Sequence, residues 1–127
     1  MKRFPEFMMK PSDQVANVPD PSMKGAVFEG TEGTQIVFWE CEEGGESPEH
    51  VHEFWEYAVV VEGSCDCVID GKPVHLGPGD ECVIPPGIRH SGKYSLGYRA
   101  IDAFGGKRVE RISSKGRNPE PMGTVQR

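Results

Sequence analysis

Apolar residues in this chain fall in short runs, each closed by glycine, proline or a polar turn, and the runs lack the three-to-four residue periodicity of a helix. From Ala26 the chain reads AVFEG and then TQIVFWEC (Thr34 to Cys41), β-branched and aromatic segments that predict strands. EEGGESPE (Glu42 to Glu49) reads as a turn-rich loop leading into EHVHEFWEYAVVVEG, and SCDCVI predicts another strand. Asp70-Gly71 is a hairpin turn into KPVHL, GPGD turns again, ECVIP is a short strand, PPGIRH a loop, and YSLGYRAIDAF a last long strand from Tyr94 to Phe104.

About eight short strands, spaced near ten residues apart with no helical segment between them, predict an all-β antiparallel sandwich or barrel. Residues 1–25 carry Pro5, Pro11, Pro19 and Pro21 and are expected to form an extended N-terminal arm. The barrel is expected over residues 26–105, and residues 106–127 form a polar C-terminal tail, a short element followed by flexible chain.

Composition narrows the class further. At 127 residues there is room for one domain, and 16 glycines with 11 prolines agree with many tight turns. A net charge of −6 argues against a nucleic-acid partner, which calls for a basic face. No run is long enough to span a bilayer and the N-terminus lacks the apolar core of a secretion signal, so a cytoplasmic protein with no membrane partner is expected. Cys41, Cys65, Cys67 and Cys82 are then expected as reduced thiols. Cys65 and Cys67 alternate and share a strand face, where buried packing is the plainer reading than a redox or metal pair.

Strand alternation places His50, His52, Phe54 and Glu56 on one face, which a helix would not do. Two imidazoles and a carboxylate aimed at one point suit a divalent first-row metal, and buried without one they would lack partners. A lone histidine such as His75 is more simply a polar strand residue. In GDECVIPPGIRH the rigid Pro85-Pro86-Gly87 turn can hold His90 in a defined direction.

These two segments resemble the two motifs of the cupin superfamily. Gly44, five residues, His50-x-His52, three residues, Glu56, six residues and Gly63 match every fixed position of the first. Gly79, five residues, Pro85-x-Gly87, two residues and His90 match the second, which in the family ends in an asparagine where this chain has Tyr94. The 15 residues between Gly63 and Gly79 are short, as in small single-domain cupins. The resemblance implies a double-stranded β-helix, a jelly-roll barrel, holding one divalent transition metal (iron, manganese, nickel or zinc) through His50, His52, Glu56 and His90. It also implies a small-molecule ligand or substrate, and a homodimer is expected from the edge strands and the arm.

Phe54, Gln35, Trp39 and Arg99 are pocket candidates. Gln35 and Trp39 share a face, and an inward Arg99 could bind a carboxylate, although the sequence leaves its face open, as it does for Tyr57 and Tyr98. Two function classes follow. One is a metal-dependent enzyme on a small oxygenated or carboxylate metabolite: a dioxygenase, isomerase or epimerase, decarboxylase or lyase. The other is a non-catalytic module binding a sugar or metabolite.

Overall fold

The computed structural model describes residues 3–112 and contains nine strands among them. They are β1 (Lys24–Glu29), β2 (Gln35–Cys41), β3 (Gly45–His50), β4 (Glu56–Glu62), β5 (Cys65–Ile69), β6 (Lys72–Leu76), β7 (Glu81–Ile84), β8 (His90–Tyr94) and β9 (Tyr98–Phe104). They build a five-stranded sheet ordered β1-β2-β9-β4-β7 and a four-stranded sheet ordered β3-β8-β5-β6, with every pairing antiparallel. The inward residues Val27, Val37, Trp39, Val60, Cys65, Leu76, Tyr98, Ala100 and Phe104 form the core between the sheets. Burying that apolar surface is the main force closing the two layers on each other.

Three local expectations are corrected. EEGGESPE is not all loop, because Gly45–His50 is a strand paired with β8. Its residues are polar because it is a sheet edge, which also explains how Pro48 is tolerated there. The run from Tyr94 to Phe104 is not one strand: Gly97, at φ +73°, turns the chain so that β8 ends and β9 begins in the opposite sheet. Finally, the stretch from His50 to Glu56 is not a continuous strand. His50 ends β3 in one sheet, Glu56 begins β4 in the other, and residues 51–55 cross between them.

Asp70 (φ +54°) and Gly71 (φ +77°) form the expected hairpin turn, with both central residues left-handed as a tight β-turn demands. Gly63 also sits at positive φ, +76°, and a Cβ there would lie 2.9 Å from Tyr98 Cα. Gly63→Ala is therefore expected to destabilise the fold by about 1–3 kcal/mol in a denaturant titration, whereas Gly33→Ala, with open space around it, would cost less.

The N-terminal arm runs over the barrel through two short 3₁₀ turns, Glu6–Met8 and Pro11–Asp13. Gln14 then bridges to Ala26 and Val15 to Arg111, so the arm and residues 109–111 are stitched to the five-stranded sheet. Arg111, whose side chain is 3% exposed, bonds Asp13 at 3.0 Å, the Val27 carbonyl at 3.2 Å and Glu29 at 3.2 Å. The expectation for the C-terminal tail beyond residue 112 lies outside the described residues.

Candidate metal centre and cavity

Ring nitrogens of His50, His52 and His90 all lie within 4.8 Å of one another. Three pieces of local structure bring this about. His50 and His90 are cross-strand partners of β3 and β8, with a register shift between Ser47 and His50 turning the end of β3. The Pro85-Pro86-Gly87 turn is fastened to the crossing segment by the Gly87 N–H donating to the His52 carbonyl at 2.8 Å. The His52 ring stacks on Phe54, 5.0 Å between centroids and 6° between planes, and meets the edge of Phe104 at 5.8 Å. That wall sets the ring's plane and explains why residue 106 is glycine: a Cβ there would come within 2.5 Å of the Phe54 ring.

Glu56, at the start of β4, faces the cluster from the opposite sheet. Its Oε1 lies 3.3 Å from His52 Nε2 and 3.2 Å from His90 Nε2. The His90 Nδ1 bonds the Ile88 carbonyl at 2.9 Å and the His50 Nδ1 bonds the Pro48 carbonyl at 2.7 Å, so each ring turns its Nε2 away from the backbone. With the Nδ1 proton so committed, the His90 Nε2 offers a lone pair toward a carboxylate oxygen.

His52 Nε2, Glu56 Oε1 and His90 Nε2 are all buried and none has a hydrogen bond. Lone pairs gathered this closely repel unless a cation or a proton lies among them. A proton shared within the group is one answer. Burial opposes ionisation of Glu56, yet contacts from His52 and His90 win and hold its carboxyl down at about 2. For His90, burial works against the charged ring and Glu56 overcomes it, raising the pKa. His50, facing no carboxylate, is lowered by burial. Neutral nitrogens with one anionic oxygen also form the donor set of a divalent first-row ion, so these residues fit such a metal.

The cluster opens onto a cavity of about 60 Å³ between the sheets. Its wall includes Trp39, Tyr94, Tyr98, Asp102 and Arg108, and the three thiols Cys65, Cys67 and Cys82. Asp102 is the group that sequence reasoning passed over. Its Oδ1 is buried without a hydrogen-bond partner, and its pKa is raised well above the carboxylate range by burial and by the charge of Glu56. The signal was available in YRAIDAF: Tyr98, Ala100, Asp102 and Phe104 alternate inward, so one acidic residue stands on an otherwise apolar face.

The four pocket candidates divide. Trp39 lines the cavity and Phe54 backs His52 from behind. Gln35 does not reach the cavity. It is fully buried, donates to the Val109 carbonyl at 3.0 Å and accepts from the backbone N–H of Arg108 and Val109 at 2.8 and 3.0 Å. By pinning that segment it sets where Arg108 stands. Arg99 lies outside the barrel, with its Nε 3.0 Å from Glu62 and its guanidinium over the Phe4 ring. Tyr98 is inside and Tyr57 outside, where its hydroxyl bonds Glu81.

Comparison with known proteins bears on the fold. Residues 37–94 match the model of the cupin domain. Among solved structures, KdgF from Halomonas sp. superposes with a TM-score of 0.65 at 23% identity, over 72% of this chain and 86% of that one. The fold of this chain is the cupin jelly roll. An RmlC-like cupin from Shewanella frigidimarina gives a TM-score of 0.64 at 21% identity, over 82% and 88% of the two chains. A salicylate 1,2-dioxygenase from Pseudaminobacter salicylatoxidans gives 0.61 at 16% identity, over 66% of this chain but 26% of the longer enzyme. No curated protein sequence matches. No helix among the described residues is long and apolar enough to cross a membrane.

Proposed function

We propose that this chain is a metal-dependent enzyme that holds one divalent ion through His50, His52, Glu56 and His90 and acts on a small oxygenated carboxylate. The observation that carries the reading is the convergence of His52 Nε2, Glu56 Oε1 and His90 Nε2, buried and without hydrogen bonds, beside a second buried carboxyl group. When bound, the ion would act as a Lewis acid toward a substrate oxygen. The remaining roles fall to side chains of the cavity wall. Arg108 supplies a permanent positive charge and a planar fork for a substrate carboxylate. Asp102, kept neutral by its surroundings, carries a proton on its carboxyl where it can be given to or taken from the bound molecule. Trp39, Tyr98 and Phe104 exclude bulk water from that exchange. The salicylate 1,2-dioxygenase among the similar folds acts, by its name, on a small aromatic carboxylate, which accords with this substrate class.

The narrow cavity limits what enters. Its volume of about 60 Å³ and its position between the sheets favour a small molecule, with the half-exposed His50 on its rim.

The test is turnover of 2-oxo acids, hydroxy acids and uronic acids, followed by NMR with manganese-, zinc-, nickel- or iron-loaded protein, in air and under argon. Consumption of one class that stops on chelation is expected. Asp102→Asn should keep the metal and lose turnover by about 100-fold or more. A ligand that binds and is never consumed, with Asp102→Asn unchanged, would leave a non-catalytic binding module instead.

A further inference from the structure

The cavity wall holds a feature that the proposed reaction does not use. Cys65 and Cys67 are alternate residues of β5, and their sulfurs are 2.8 Å apart, too close for side chains that merely pack and within about 1 Å of the roughly 2.05 Å of a bond. Asp66 between them points outward to His75, at 2.7 Å, which fixes both thiols on the inner face. Opposite Cys67 on β8 stands Gly92. A Cβ on Gly92 would lie 3.0 Å from the Cys65 sulfur, so the missing side chain makes room for the pair.

We infer that Cys65 and Cys67 are a peroxide-reactive dithiol that closes reversibly into an intrastrand disulfide inside the cavity. Strand geometry allows the bridge. Two residues of strand span about 6.4–6.8 Å between Cα atoms, at the upper edge of the 4.4–6.8 Å range of disulfides. A bridge at that edge is strained and hence easily reduced, which suits a reversible site rather than a structural staple. Access also favours it. Cys65 is 3% exposed and sealed from large thiols, yet both sulfurs line a cavity with room for a molecule the size of hydrogen peroxide. The thiols are unequal as well: the hydrogen bond between them lowers the pKa of Cys67 and raises that of Cys65, which makes Cys67 the attacking sulfur.

The chemistry balances with hydrogen peroxide as the oxidant. The Cys67 thiolate attacks one peroxide oxygen, the O–O bond breaks, and hydroxide leaves to take up a proton as water. The Cys65 thiol then attacks the sulfur of the resulting sulfenic acid, forming the S–S bond and releasing a second water. Two thiols are oxidised and one peroxide is reduced.

The experiment treats the full-length reduced protein with equimolar hydrogen peroxide, alkylates the remaining thiols and measures intact and fragment masses. Expected is a loss of about 2 Da before alkylation, reversed by dithiothreitol, with label on Cys41 and Cys82 alone. Cys82→Ser should behave as the wild type, and Cys65→Ser should gain oxygen on Cys67 with no such loss. Label on all four cysteines after peroxide would overturn the inference, as would a bridge mapped to Cys82 or mass gains of about 16 Da with no 2 Da loss in the wild type.

Discussion

His90→Ala is expected to bind zinc or manganese at least about 100-fold more weakly than the wild-type chain. Loss of a supporting contact around a metal already costs 10–100-fold, and here a donor itself is removed. Of the proposed donors, His90 has the most invested in its position. Its Nδ1 is committed to the Ile88 carbonyl, its ring neighbours those of His50 and His52, and its Nε2 faces Glu56. Glu56→Gln keeps an oxygen at the same place and removes the charge, so a smaller loss is expected from it. His75→Ala is the control, because His75 is exposed and pairs with Asp66 on the outer face. Competition against a chelating dye measures all three. Wild-type affinity in His90→Ala would remove His90 from the site.

The second large effect lies away from the cavity. Arg111→Ala is expected to destabilise the protein by about 3–5 kcal/mol, since it breaks a buried ion pair with Asp13 together with the bonds of the same guanidinium to the Val27 carbonyl and Glu29. In a chain of this size that corresponds to a melting temperature lower by on the order of 10–20 °C. The double variant Asp13→Leu/Arg111→Met removes both charges and should recover most of the loss, because a buried pair stabilises little beyond an apolar replacement of similar volume. A double variant no better than Arg111→Ala would show that the contacts of Arg111 with Val27 and Glu29 dominate.

The sequence made the strands legible wherever their chemistry was that of a half-buried sheet. QIVFWEC and EYAVVVE alternate around a core, and Asp70-Gly71 can hardly be anything but a tight turn. It failed at β3, where a polar edge carries no apolar period and only the partner strand makes it a strand. It failed again at Gly97, whose turn lies inside an apolar run. The histidines and Glu56 were readable as a group from their spacing, although the reason offered, one strand face, is not how the chain gathers them. Arg99 and Gln35 were ambiguous because a period of two says which residues share a face and not which face is inward. Arg108 was invisible for a different reason: it lies beyond the last strand, and the buried amide of Gln35 places it from 73 residues away.

The crossing between β3 and β4 has a consequence for how the protein would respond to mutation. His50 and His90 ride on one layer and Glu56 on the other, so the candidate centre measures the offset between the two layers. A substitution deep in the packing, at Val60 or Leu76, that lets the sheets slide by a fraction of an ångström would lengthen the span from Glu56 to His90 while leaving each sheet's own ladder intact. Ion affinity would then register core damage before a melting curve does.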